Sequence, residues 1–377
     1  MHRPTDLHAI IDQIHVSALQ YLMTGHVADF RRIFGPLLDD GVLESDTCRV
    51  YIARGPAAER DQVLAACREA VHGTALVTRC PIYDSDVIVV APLPARAITN
   101  GWDLTGLRLR TVTDPRPSWH LGGSGISTLT HTAQAYGDAS NALLSARYLT
   151  ERAALHSSDI RLVHILGGRA QAWAANLLEP LHHQAENRRD LLTDTASLAL
   201  AFNHSAVATL LRTSRGVVTN RMKRIGGILG LRLTEFQDRA ILDLALAVDA
   251  RADCGPPSEF VALADLLSTP DVRTWAASLL GRLDTDNRPL RRTVIAWLTH
   301  NGHVTAAAEA LTLRDATVRT HLKAAEALLH RRLLGSLPES EPEMADRGVV
   351  GSGEVFLAAA VLGEVPVPEW PTPGFRM

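Results

Sequence analysis

The second half of this chain repeats itself, and that constrains its fold more than any other feature. WAANLLEPLHHQAENR, Trp173 to Arg188, aligns with WAASLLGRLDTDNR, Trp275 to Arg288, across a two-residue deletion. Farther on, SAVATLLRTSRGVVTNRMK, starting at Ser205, aligns without gaps on TAAAEALTLRDATVRTHLK, starting at Thr305. Ala206, Ala208, Leu211, Val218 and Lys223 recur as Ala306, Ala308, Leu311, Val318 and Lys323. A period near 100 residues is far above the roughly 20–50 residues of solenoid repeats. It predicts two copies of one small domain.

Each copy predicts a short helix, a tight turn and a second helix. Ala208 and Leu211, or Ala308 and Leu311, share one face of the first helix. Arg212-Thr213-Ser214, or Thr312-Leu313-Arg314, makes the turn. The second helix has apolar positions at i, i+4 and i+7: Val218, Met222 and Ile225 in copy one, Val318, Leu322 and Ala325 in copy two. Gly230 is the expected stop of the first of these. The pattern is a helix-turn-helix, in which a small Ala lets the helices cross closely.

The opposite face of the second helix is rich in side chains that reach phosphates and base edges. Copy one offers Arg215, Thr219, Asn220, Arg221, Lys223 and Arg224, with Ser205 and Arg212 ahead of them. Copy two offers Thr317, Arg319, Thr320, His321 and Lys323, with Thr305 and Arg314 ahead. Arg221, one turn after Val217, is the expected base reader of copy one. Charge is distributed to match. Residues 181–232 hold eight Arg or Lys against three Asp or Glu, and residues 288–332 hold the same numbers. Residues 1–150 hold 13 Arg against 15 acids, so a chain of net charge −3 carries two basic modules. That is the electrostatic footprint of a nucleic-acid binder. The plainer reading of one such module is three helices folded with a basic, solvated face; its retention in both copies argues for double-stranded DNA.

NHSAVATLLRTSRGVVTNRMKRIGGILGLRL followed by FQDRAILDLALAV resembles the C-terminal domain of PucR/CdaR-type transcriptional regulators. Asn203, Ser205, Ala208, Leu211, Arg215, Val218, Arg221, Ile225 and Gly230 carry the likeness in copy one. Thr305, Ala308, Leu311, Thr317, Val318, Arg319 and Leu322 carry it in copy two. Copy one departs at Gly216, Val217 and Thr219, where the family has Asn, Thr and Arg; copy two has Asp315 and His321 where it has Arg. Asp315 suits a helix N-terminus but repels a phosphate there. The resemblance implies sequence-specific DNA binding, and a second copy is unusual for it.

The first half predicts two helices over 5–38, with Thr5 as a cap and Leu7, Ile11, Ile14 and Ala18 as a stripe. A strand at 48–53, a helix at 57–71, and a hairpin of 75–82 and 86–91 turning at Tyr83-Asp84-Ser85 follow. A strand at 119–127 and a helix at 132–148 complete a ferredoxin-like α+β domain. This resembles the degenerate GGDEF-like domain that precedes PucR-type helix-turn-helices. IYDSD lacks the glycines of a cyclase turn, so Asp84 and Asp86 read as turn residues and no catalysis is expected. Gly122-Gly123-Ser124-Gly125 is followed by no Gly-Lys-Ser/Thr, which excludes a phosphate loop; its glycines predict a bend or bulge at a strand end.

Four thiols, Cys48, Cys67, Cys80 and Cys254, form no CxxC pair and fit a reducing compartment. His182-His183 and the pair His300, His303 lack a third ligand, so no metal is expected. No apolar run approaches the roughly 20 residues of a membrane helix, and Asp6 and Asp12 interrupt any leader. The expected organisation is N-terminal helices at 1–45, the α+β domain at 46–150, and all-α helix-turn-helix domains at 151–256 and 257–377. Beyond Leu337 a loop is expected, then a closing helix at 354–363 and an irregular end. The expected protein is a cytoplasmic, non-enzymatic regulator, homodimeric and without a cofactor, with an inactive sensory or dimerisation domain and room for a small-molecule effector. The alternatives are a regulator whose helix-turn-helices dock another protein, or a nucleotide sensor.

Overall fold

The computed structural model describes residues 4–37, 45–93, 101–146, 152–156, 162–250, 260–331, 333–334 and 352–366. It falls into two compact units, Met1–Ser158 with Thr209–Arg212, and Asp159–Ala208 with Thr213–Met377. The loop expected at 338–351, the irregular end from 367 and Cys254 lie outside the described residues, as do the side chains of Thr5 and Leu7.

The first unit opens with α1 (Pro4–Met23) and α2 (Val27–Phe34). A mixed sheet follows, of β1 (Thr47–Arg54), β2 (Leu76–Arg79), β3 (Asp86–Pro92), β4 (His120–Gly123), β5 (Ser127–Thr128) and β6 (Ala153–Leu155). Its order is β2-β3-β1-β4-β6, with β5 pairing β1. Helices α3 (Arg60–Val71), α4 (Leu104–Thr113) and α5 (Thr132–Ala146) pack against it. β1 lies at the centre, buried from Cys48 to Ala53, as its nearly unbroken apolar sequence requires. From β1 to β4 all neighbours are antiparallel and the element order is β-α-β-β-α-β, the split βαβ arrangement. β6 then adds parallel to β4.

Two of these elements, α4 and β6, are not foreseen from the sequence. Helix α4 is anchored at its first turn by Asp103, whose side chain is 3% exposed. Asp103 Oδ1 accepts from the Gly106 amide (2.9 Å), and Oδ2 accepts from Tyr51 Oη (2.6 Å) and the Arg49 guanidinium (3.2 Å). Burial first, then the Asp103 charge, holds the Tyr51 phenol well above its usual range. The expected irregularity lies just past β4: between the pairs Gly123–Tyr51 and Ser127–Cys48, three residues face two on β1, a one-residue bulge, while Gly122 and Gly123 themselves serve packing. Gly122 pairs in register with Ile52, and a Cβ there would lie 2.3 Å from the Ala139 carbonyl of α5.

The second unit is all helical. Copy one comprises α6 (Leu162–Leu166), α7 (Gln171–His182), α8 (Glu186–Ala201), α9 (His204–Leu210), α10 (Arg215–Leu229) and α11 (Phe236–Asp249). Copy two repeats the series as α12 (Leu263–Leu267), α13 (Pro270–Gly281), α14 (Leu290–Thr299), α15 (Val304–Leu311), α16 (Asp315–Leu329) and α17 (Ser352–Val361). Helix α11 packs on α7, and α17 packs on α13, so each copy closes with its last helix on the same partner. The backbone repeats as faithfully. Arg212 and Thr312 both adopt positive φ (49° and 57°) in the turn between the paired helices. Gly230 and His330 do so at the ends of α10 and α16 (69° and 51°). Among the described residues, no helix is long and apolar enough to cross a membrane.

Candidate nucleic-acid interface

Helices α10 and α16 each bury the stripe that the sequence predicts. Val218, Met222 and Ile225 in α10, and Val318, Leu322 and Ala325 in α16, are buried. Helix α10 packs across α7 and α8, and α16 across α14 and α15. Both helices therefore turn one side outward. In α10 that side carries Arg215, Val217, Asn220, Lys223 and Arg224, all exposed; in α16 it carries Ala316, Arg319, Thr320 and Lys323. Ser205 and Arg212 ahead of α10, and Thr305 and Arg314 ahead of α16, are exposed as well. Thr317 is half-buried.

Three of the residues expected to read DNA are engaged by neighbouring helices. His321 is buried, and its Nδ1 lies 2.9 Å from Thr293 Oγ1 in α14. Burial, then the nearby Arg288 charge, holds its pKa below the usual imidazole value. Arg221, at the equivalent place in copy one, is half-buried, and its guanidinium donates to Thr195 Oγ1 in α8 (3.3 Å). Thr195 and Thr293 are themselves buried. Thr219 is held between His204 Nδ1 (3.0 Å) and the Arg215 carbonyl (3.1 Å). These three positions thus tie the second helix to its scaffold; the expectation of a base contact is corrected for buried His321, while Arg221 and Thr219 are half-buried. Asn220 and Thr320, one position earlier than Arg221 and His321, take the outward place. Thr320 donates to the Ala316 carbonyl of its own helix (2.8 Å) and remains exposed.

The two helix starts differ electrostatically. Ser214 caps α10, its Oγ accepting from the Val217 amide (3.3 Å), and the next residue is the cation Arg215. In α16 the first residue is Asp315, whose carboxylate accepts from the Thr305 hydroxyl (2.7 Å). An amide-lined, cationic helix start draws a phosphate, whereas a carboxylate there repels one. The head of copy one is therefore the better anion site, and Thr305 is committed to Asp315.

In the first unit, Asp86 gives both carboxylate oxygens to Arg54 (2.6 and 2.7 Å) and is fully buried. Asp84 projects from the hairpin turn toward Arg60 (3.3 Å). Burial pushes the Cys48 and Cys67 thiols up to about 12 and the Cys80 thiol up to about 11.

No protein-family model and no curated protein matches this sequence. Among solved structures, a regulator of polyketide synthase expression from Bifidobacterium adolescentis aligns at 18% identity over 64% of this chain and 93% of that one. Its TM-score is 0.27, too low for the superposition to bear on fold or function.

Proposed function

We propose that this chain is a transcriptional regulator of the PucR/CdaR kind, which binds double-stranded DNA with two helix-turn-helix heads. The observation that carries this reading is the repeated presentation of a basic helix. Lys223 and Lys323 stand 100 residues apart at equivalent exposed positions, and they are the only lysines among 38 basic residues. Arg215 and Arg224 flank the first, and Arg314 and Arg319 the second. Lysine and arginine on an outward helix face supply phosphate contacts, and Asn220, Arg319 and Thr320 supply candidates for base edges.

In this reading the α+β unit is a sensory or dimerisation module without catalytic activity, the chain acts in the cytoplasm as a homodimer, and no cofactor takes part. Exposed Val217 and Leu313 beside the heads favour a second reading, in which the heads dock another protein. Selection of bound duplexes from a random-sequence pool by the full-length protein separates the two. Enrichment of one sequence family is expected; a pool that stays random through repeated rounds would leave the protein-docking reading in its place.

A further inference from the structure

We propose that the helical unit is an intramolecular pseudo-dimer, whose two copies are locked about a local two-fold axis. Resting on the DNA reading above, this makes the ligand an imperfect inverted repeat with one fixed half-site spacing, bound by a single chain.

The contacts between the copies are those of an isologous interface, in which one patch meets its own equivalent. Helices α11 and α17 are equivalent in the duplication, and they pack on each other. The flanking contacts are reciprocal. Helix α6 of copy one packs on α13 of copy two, and α12 of copy two packs on Gly167–Ala170, the turn that leads into α7. Head-to-tail stacking of repeats would instead join unlike elements.

Side chains make this joint specific. Phe236, at the start of α11, meets the edge of Trp297 in α14 (centroids 5.0 Å, 60°) and stacks on Phe356 in α17 (6.5 Å, 19°). All three rings are buried. Asn301, in the turn after α14 with φ of 50°, accepts from the Phe236 amide (3.1 Å) and donates to the Glu235 carboxylate. Gly353 lies directly over Ala240, where an added Cβ would stand 3.4 Å from the Ala240 Cα. A joint built from buried aromatic rings, a bridging amide and close helix contact holds one geometry. It is unlike a flexible tether, which would allow many separations. The heads are consequently presented at one distance, with inverted polarity. Because Arg215 and Asn220 stand opposite Asp315 and Thr320, the two half-sites differ in sequence.

Two measurements on the full-length chain test this. For the first, spin labels are placed at Asn220→Cys and Thr320→Cys, with Cys254→Ser; Cys48, Cys67 and Cys80 are buried and stay unlabelled. Without DNA, a single narrow distance distribution is expected, and Gly353→Phe or Asn301→Ala should broaden it. A broad distribution in the otherwise native chain overturns the proposal, and needs no variant that may fail to fold. For the second, base pairs are inserted between the half-sites of a selected duplex. Insertions of 5 and of 10 base pairs should both reduce affinity to that of a single half-site. Recovery at 10 base pairs, a full helical turn, would show a flexible tether and overturn the proposal. Failure to bind any duplex would sink the DNA reading alone, and the label distances would still decide the pseudo-dimer.

Discussion

Replacing Asp103 tests how the α+β unit is assembled. Its carboxylate caps α4 through the Gly106 amide and is the buried partner of Arg49, whose guanidinium also donates to the Gly101 carbonyl (2.7 Å). Asp103→Ala removes the cap, worth about 1 kcal/mol. It also leaves a 3%-exposed Arg49 side chain without its carboxylate. Breaking a buried ion pair by deleting one partner costs about 3–5 kcal/mol, so the sum is roughly 4–6 kcal/mol. Asp103→Asn keeps a competent cap and should recover only about 1 kcal/mol of that loss. Tyr51→Phe removes one hydrogen bond to a charged group and should cost about 1.5–3 kcal/mol. Urea unfolding followed by tryptophan fluorescence reads all three, since Trp102 stacks on Tyr51 (6.1 Å) and Trp119 lies buried in the same core. A loss below 1 kcal/mol in Asp103→Ala would refute the assignment of α4 to this buried cap.

Two further predictions concern the heads. His321 has a folded-state pKa below its usual 6.5, so the unfolded chain binds its proton first. Its contribution is complete above about pH 6.5 and is lost as pH falls below that value. Thermal melts between pH 7.5 and 5 should show this loss, and His321→Gln should flatten it; an unchanged profile would contradict the buried placement. Arg221→Ala should leave the selected DNA sequence unchanged and lower stability modestly, whereas Asn220→Ala should relax preference at one base position at a cost of about 1–3 kcal/mol. Competition binding against single-base variants of the selected site checks both, and a specificity change in Arg221→Ala alone would reverse the assignment.

Much of this architecture is legible in the sequence because it rests on periodicity. The repeat, the buried stripes at 218, 222, 225 and 318, 322, 325, and the central strand of the sheet all follow from apolar spacing. The misread residues sit where spacing is ambiguous. At about 100° per residue, position 221 lies about 60° from 218, on the rim of the buried arc. A long Arg there can reach either way, and Thr195 decides, a partner 26 residues distant that local pattern cannot reveal. His321 is drawn in by Thr293 for the same reason. Helix α4 escapes notice because LTGLRLRTVT has a glycine and three threonines and gets its anchor from β1. The three residues of β6 are too few to carry a pattern. The joint between the copies is hidden because α11 and α17 read as closing helices of separate domains, and nothing in either segment says that they meet.

The central claim is that α10 and α16 bind duplex DNA through their outward cations. Its most direct test is the salt dependence of binding, by fluorescence anisotropy on a selected duplex from 50 to 200 mM salt. Six exposed cations, Arg215, Lys223, Arg224, Arg314, Arg319 and Lys323, flank the heads. At about −0.9 per phosphate contact, the slope of log K against log salt should approach −5. The double variant Lys223→Ala, Lys323→Ala should reduce its magnitude by about 2 and weaken selected and random duplexes alike. A slope near zero, or one that the double variant leaves untouched, would contradict the account.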